Sequence, residues 1–342
     1  MAQFSLAEEI INLENVADPV AFQTPLLGRS AIRKLPIMLK EDKVVEQVVL
    51  QTPSNKFYEL GRVLREAIYG QVNHAIALVP FDATIYQRAN PIKQVAIKVY
   101  SQTRLRAMRG KTQENPVSEL AAMQLVGQHP NILTALECCH DTENIYSIME
   151  FCDGGELYDV IEESGAMPEG TARMFFRQIL SGLAHLQMLG IAHRDLSLEN
   201  VLYSRTTGNC KIIDFGMALL LPRDSAGQVM LIPPQGVCGK RNYISPEVID
   251  NRCPFNGLQS DMWALGVILF IMLTGVPPVD TATPLDPRYR MLAEGHIGTM
   301  LDQWGITLSS EALDLLSKTL RVIPSDRLTA AEVADHPWVR DG

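Results

Sequence analysis

IAHRDLSLENVL, residues 191–202, sets a carboxylate at Asp195 and a carboxamide at Asn200 in a short polar segment bracketed by apolar pairs, Ile191-Ala192 and Val201-Leu202. Such a segment is a loop that holds polar groups and not a core strand. Farther along, Asp214-Phe215-Gly216 supplies a second carboxylate beside an aromatic ring. Toward the N-terminus, Val95, Ile97 and Val99 alternate with Ala96, Lys98 and Tyr100, which predicts a strand carrying Lys98 on one face.

The 342-residue chain holds 30 Lys and Arg against 39 Asp and Glu, a formal net charge of -9. That balance argues against a nucleic-acid partner held by a broad basic surface and mildly favours basic partners. The cysteines at 138, 139, 152, 210, 238 and 253 show no C-x-x-C spacing, and a chain of this size needs no staples. Reduced thiols in a cytoplasmic protein, with the nucleus as a second location, are expected. The start MAQFSLAEEI lacks the flank and apolar block of a secretory signal, and Ala2 excludes a myristoylation start. The most apolar run, 262–273, is too short to cross a bilayer and ends at TGVPP, so a buried core helix is expected and no membrane partner.

Residues 1–57 carry prolines at 19, 25, 36 and 53 between short apolar patches. They read as an extension packed on the main domain, with a regulatory or partner-docking role as the sharper alternative; GRSAIRKLP at 28–36 is basic enough to imitate a substrate. Ser5 and Glu8 form a capping box ahead of Ile10, Ile11 and Leu13, which predicts a short amphipathic helix. From Tyr58 the pattern turns to Val- and Ile-rich strands, and from about 155 to helices, notably 171–189 and 260–273. Ser118 to Gly127 has helical spacing at Leu120, Met123 and Val126. A strand-rich part followed by a helix-rich part predicts two lobes.

His193, Arg194, Asp195, Leu196 and Asn200 resemble the catalytic loop H-R-D-L-x-x-x-N of protein kinases at every fixed position. With VAIK at 95–98 and the Asp-Phe-Gly at 214–216, the resemblance spans about 58–339. It implies an α+β, bilobal kinase fold: a small, mainly β N-lobe with one key helix (about 58–150) and a larger, mainly α C-lobe (about 153–339). The implied cofactors are ATP and Mg²⁺. Asp195 would accept the substrate hydroxyl proton, Asn200 and Asp214 would hold metal, and Lys98, oriented by Glu119, would bind phosphate. Glu114 is the alternative partner for Lys98. Phe215 and His193 would stack in the core beneath Asp214, Glu247 of SPE would pair with Arg327, and Asp261 would accept N–H bonds from the catalytic loop. IMEFCDGGEL at 148–157 resembles the hinge, with Met149 as gatekeeper, Glu150 and Cys152 offering backbone to adenine and Glu156 near the ribose. Val72, Ala96 and Leu202 would sandwich the base.

Three departures stand out. LREAIYGQV at 64–72 aligns with the glycine-rich pattern from Leu64 to Val72, but Arg65 and Ala67 occupy the first two glycine positions and only Gly70 remains. Side chains there take up room that phosphate needs; Arg65 itself could contact phosphate. Val72 and Lys98 are also 26 residues apart, which predicts a long hairpin. Second, serine/threonine kinases usually carry lysine two residues after the catalytic aspartate and Ser or Thr after the glycine of the substrate-side loop; here these positions are Ser197 and Lys240. Lys240 is therefore expected to reach back to Asp195 and the transferring phosphate, or else to be a surface lysine. Third, Ser225 is the only Ser or Thr between Asp214 and Gly236, and Gly236 stands where related kinases carry an activating phosphothreonine. Loop phosphorylation is not expected; packing, the N-terminal extension or a partner would hold the loop instead.

The first reading is a serine/threonine kinase resembling the calcium/calmodulin and AMP-regulated branch through CGKRNYISPEVI and ADHPWV, acting on protein substrates, with Glu156 and Glu199 favouring basic residues near the phosphosite. The second is a pseudokinase, a binding or scaffold module whose altered phosphate loop impairs turnover.

Overall fold

The structure, a computed structural model, describes residues 16–39 and 43–341. The expected Ser5/Glu8 capping box lies outside the described residues. The chain divides into two compact units, one of residues 23–127 and 133–151, the other of residues 16–22, 128–132 and 152–341.

The first unit is β-rich and begins well before residue 58. Strands β1 (Gly28–Arg29), β2 (Ala31–Met38), β3 (Val44–Gln51), β4 (Phe57–Ala67), β5 (Gly70–Pro80), β6 (Tyr86–Arg88), β7 (Gln94–Ser101), β8 (Ala135–His140) and β9 (Asn144–Glu150) form one sheet, ordered β1-β8-β9-β7-β5-β4-β3-β2-β6. The far end of β5 also pairs with β6, which runs parallel to β2 at Ile37 and Met38, so β2 to β6 close into a small barrel. Ile37, Val49, Phe57 and Leu78 fill it, with Leu35, Leu39 and Tyr86 packed against them. Closure removes the exposed edge that β2 would otherwise present. Arg88 adds a bidentate bond to Glu59, at 2.8 and 3.0 Å, between β6 and β4.

Residues 28–51, expected within an extension packed on the domain, are thus strands of the domain's own sheet. The candidate substrate mimic at 28–36 is β1 and most of β2, paired with β8 and β3. The long hairpin expected between Val72 and Lys98 resolves into the end of β5, a turn and β6. After β7 come α1 (Gln102–Met108) and α2 (Pro116–Val126); Asn115 caps α2 by accepting the Val117 and Ser118 N–H groups, with Pro116 at the first helical position.

The second unit is mainly helical: α3 (Leu157–Ser164), α4 (Glu169–Met188), α5 (Pro246–Asp250), α6 (Gly257–Thr274), α7 (Pro287–Ala293), α8 (Ile297–Gln303), α9 (Ser310–Thr319), α10 (Ala330–Asp335) and α11 (Pro337–Arg340). Between α4 and α5 lie short strands β10 (Ile191–Ala192), β11 (Val201–Tyr203), β12 (Cys210–Ile212) and β13 (Leu219–Leu220), paired β10 with β13 and β11 with β12. Helix α6 is apolar on every face because it runs through the core, where Trp263, Leu265 and Phe270 share one cluster with Phe176, Ile179 and Leu183 of α4 and Leu315 and Leu316 of α9. By length and composition it could cross a membrane, but 83% of it is buried inside this unit.

Residues 16–22 also belong to the second unit. The Ala17 N–H donates to Leu231 O (3.0 Å) and the Val20 N–H to Leu220 O (2.8 Å), which lays them as a strap along residues 219–231.

Candidate active site

The loop between β10 and β11 is fastened by α6. Asp261, buried, accepts the His193 N–H at 2.7 Å and the Arg194 N–H at 2.9 Å. Burial pushes the Asp261 carboxyl up, opposed by the His193 charge and these two amides. Arg194 takes a left-handed φ of +66° and Asp214 one of +68°. Non-glycine residues in that region store about 1–3 kcal/mol each, and such strain gathers where position matters more than comfort.

Asn200 Nδ2 donates to Asp195 O (2.7 Å) and to Asp195 Oδ2 (2.8 Å), fixing the carboxylate plane. Asp195 Oδ1 is buried without a hydrogen-bond partner among the described residues. With its amide nitrogen so engaged, Asn200 turns its carboxamide oxygen away from Asp195. Asn200 O accepts the Ile213 N–H (2.9 Å), which sets Asp214 beside this loop; Asp214 Oδ1 accepts the Gly216 N–H at 3.1 Å. His193 Nε2 lies 2.9 Å from Ile213 O and its ring 5.4 Å from that of Phe215, so the two meet in the core as expected but tilted at 59° and not stacked.

Lys240 does reach back. Its Nζ is 2.9 Å from Ser197 Oγ and 3.6 Å from Asp195 Oδ2. Gly239, at φ +94°, permits this approach: a Cβ there would meet Arg194 O at 2.9 Å. The rest of this segment is held by backbone bonds and packing. Ile232 exchanges backbone bonds with Phe255, the Leu221 N–H donates to Gly190 O, and Ala192, Leu221, Ile232, Val248 and Phe255 form an apolar cluster. Gly236 is left-handed at φ +82° and donates its N–H to Asn251 Oδ1, a conformation that a threonine would strain. Ser245, also in this segment, is buried on Ser260 Oγ at 2.8 Å. Arg194 Nε and Nη2 remain buried and unbonded among the described residues. Of the three expected means of holding this loop, packing and the N-terminal residues are both at work.

In the first unit, Lys98 Nζ donates to Glu119 Oε1 at 2.6 Å, with the Glu119 side chain 4% exposed. The alternative, Glu114, offers its backbone carbonyl to the Tyr69 hydroxyl. Along the sheet Val72 faces Lys98 and Ala96 faces Met149 in register, while Glu150 ends β9, exposed. Leu64 lies half-buried on β4. Between Leu64 and Val72 the chain is a hairpin: β4 and β5 meet at Ala67 and Gly70 through the two-residue turn Ile68-Tyr69. Gly70 is required because a Cβ would come within 1.9 Å of Val99 O. Tyr69 turns inward beside Tyr100, Leu120 and Cys138, its hydroxyl bonded to Thr112 Oγ1 and Glu114 O. Sequence reading had no signal for this tie, because an aromatic in a turn is usually exposed.

In the second unit Cys152 is buried, and Glu156 pairs with Leu202 in an isolated bridge that sets the two side by side. Glu247 and Arg327 form the expected buried pair, two bonds of 2.7 Å each.

The protein kinase domain family matches residues 84–339. The chain belongs to the protein kinase family. The kinase is 34% identical over 281 residues to CBL-interacting protein kinase 1 of Oryza sativa subsp. japonica, covering 82% of this chain and 55% of that one. It is 34% identical over 283 residues to CBL-interacting protein kinase 21 of the same species, covering 83% and 49%. It is 35% identical over 233 residues to the probable serine/threonine-protein kinase HSL1 of Saccharomyces cerevisiae, covering 67% and 14%. The kinase spans about half the length of the rice relatives it matches. Its likeness is to serine/threonine kinases of the branch recognised in its sequence, and the β-rich and helical units are those of the family's fold. The family match begins inside the barrel's last turn, so β1 to β5 lie before it.

Proposed function

We propose that the kinase is catalytically active and transfers the γ-phosphoryl group of Mg-ATP to serine and threonine hydroxyls of proteins. The observation that carries this is the state of Asp195, whose Oδ2 is fixed by Asn200 while the buried Oδ1 keeps its lone pairs. In this reading Oδ1 takes the proton as the substrate oxygen bonds to phosphorus and the bond from phosphorus to the departing ADP oxygen breaks. Lys98, aimed by Glu119, binds the α and β phosphates. Asp214 and the carboxamide oxygen of Asn200 would hold Mg²⁺, which neutralises phosphate charge when bound. A carboxylate and a carboxamide oxygen are the donor type that a hard cation takes, with phosphate and water completing its shell.

Leu64, Gly70, Val72, Ala96, Met149, Glu150, Cys152, Glu156 and Leu202 are the proposed nucleotide contacts. Glu156 and Glu199 support acceptor sites with basic residues nearby. Residues 1–57 are proposed to meet a regulatory partner; the rice relatives are named as CBL-interacting, and Ile32, Val44 and Val48 are exposed on β2 and β3. Six free cysteines support a reducing location, cytoplasmic or nuclear.

The pinned turn at Tyr69 favours the second reading, a scaffold that binds nucleotide without turnover. The two separate in one experiment. Purified kinase is given Mg-ATP and a serine, threonine and tyrosine peptide library, with Asp195→Asn alongside. Phosphate on serine or threonine, lost in the variant, supports the enzyme; Mg-ATP binding by thermal shift with no phosphopeptide supports the scaffold.

A further inference from the structure

We infer that Lys240 is a catalytic residue that holds the transferred phosphoryl group from the substrate side of the loop, and that Ser197 is its positioning residue. The inference rests on the enzymatic reading above.

Its basis is a contact that crosses 43 residues of sequence. The Lys240 ammonium donates to Ser197 Oγ at 2.9 Å and stands 3.6 Å from Asp195 Oδ2, on the oxygen that also accepts from Asn200. Ser197 is fully buried, so its hydroxyl serves this lysine and not solvent. Lys240 itself keeps 33% of its side chain exposed, so it is anchored on Ser197 without being sealed beneath the loop. A lysine placed only to neutralise Asp195 would need no buried hydroxyl beneath it. A surface lysine would not come with the left-handed Gly239 that lets its backbone close on Arg194 O. Three donors on one ammonium can serve Ser197, Asp195 and one further acceptor. The acceptor that passes beside a base carboxylate during phosphoryl transfer is an oxygen of the phosphoryl group itself, and a cation there offsets charge developing on it.

The position also explains why hydroxyl and ammonium are exchanged as a pair. A lysine at residue 197 would start from buried backbone under Lys240, and two ammonium groups a few ångströms apart repel. One of the two positions must therefore be neutral.

The test compares the parent, Lys240→Ala, Ser197→Lys and the exchanged double variant Ser197→Lys/Lys240→Ser. Binding of ADP and of the non-hydrolysable triphosphate AMP-PNP, each with Mg²⁺, is measured by calorimetry, and kcat and KM are measured on a serine peptide. Lys240→Ala is expected to weaken AMP-PNP by roughly tenfold while ADP stays within about twofold, and to lower kcat by roughly ten- to a hundredfold. Ser197→Lys alone is expected to lose as much, and the exchanged variant to recover most of both losses. Equal loss of ADP and AMP-PNP, or an exchanged variant no better than the two single changes combined, overturns the inference. Because the nucleotide comparison needs no turnover, a parent that fails to phosphorylate peptide would refute the enzymatic reading while the assignment of Lys240 is still decided by binding.

Discussion

Replacing Arg327 by alanine tests how the second unit fixes the segment on which Lys240 lies. The guanidinium, 3% exposed as a residue, makes two 2.7 Å bonds to Glu247 and donates to Arg321 O, Gln259 O and Val322 O, with Trp263 5.3 Å away. Removing it strands a buried carboxylate and three carbonyls. Breaking one partner from such a pair costs about 3–5 kcal/mol. In a domain of 150–250 residues each kcal/mol is worth roughly 2–4 °C, so the unfolding midpoint should fall by roughly 6–20 °C. Calorimetry of the parent, Arg327→Ala, Glu247→Ala and the double variant supplies the cycle. The double variant should be less destabilised than the sum of the singles by more than about 1 kcal/mol, since it leaves no charge unpaired. A midpoint within about 2 °C of the parent, or additive singles, would show that the pair does not hold α5 and would refute the reasoning.

Glu119→Gln keeps the shape that meets Lys98 but removes the charge; kcat/KM for ATP should fall by roughly tenfold or more, about 1.4 kcal/mol per factor of ten, with little change in thermal midpoint. Unchanged kinetics would mean that Lys98 needs no orienting carboxylate. Val20→Pro deletes the N–H that bonds Leu220 O, and hydrogen exchange across residues 219–231 should quicken by roughly fivefold, the effect of about 1 kcal/mol, while Val20→Ala leaves it unchanged. Asp153 is held down to about 2, mainly by the Thr206 hydroxyl and also by Ser204, against an ordinary 3.8. Its folded value lies below its unfolded one, so the stability it adds is present above about pH 4 and is lost as pH falls toward 2. The acid limb of thermal unfolding should therefore be flatter in Asp153→Asn, and an identical limb would remove Asp153 from the account.

What was legible in the sequence was local. Asp195 and Asn200 sit five residues apart on one loop, within reach of each other, and Lys98 on its strand face follows from a periodicity of two, whereas Glu119 in the first turn of α2 was singled out by the family resemblance. Lys240 and Ser197 were readable only as a matched pair of exceptions, and coordinates were needed to show them in contact. The barrel was not legible, because Ile37 pairs with Tyr86 across 49 residues and no local pattern encodes a parallel partner that distant. Pro36 added to the difficulty: it reads as a breaker, yet it stands in β2 just before the pairing with β6 begins. The turn at Ile68-Tyr69 escaped for a related reason, since the Tyr69 hydroxyl finds its partners at Thr112 and Glu114, more than forty residues on.

The central claim is that phosphoryl transfer uses Asp195, Asn200 and Asp214, which one unit brings together. The most direct measurement is the rate of ³²P transfer from γ-labelled ATP to a serine peptide, with and without Mg²⁺, by the parent kinase and by Asp214→Asn. Transfer that requires Mg²⁺ and falls by at least a hundredfold in the variant is the result predicted; a parent that transfers nothing, or a variant that transfers as fast, contradicts it.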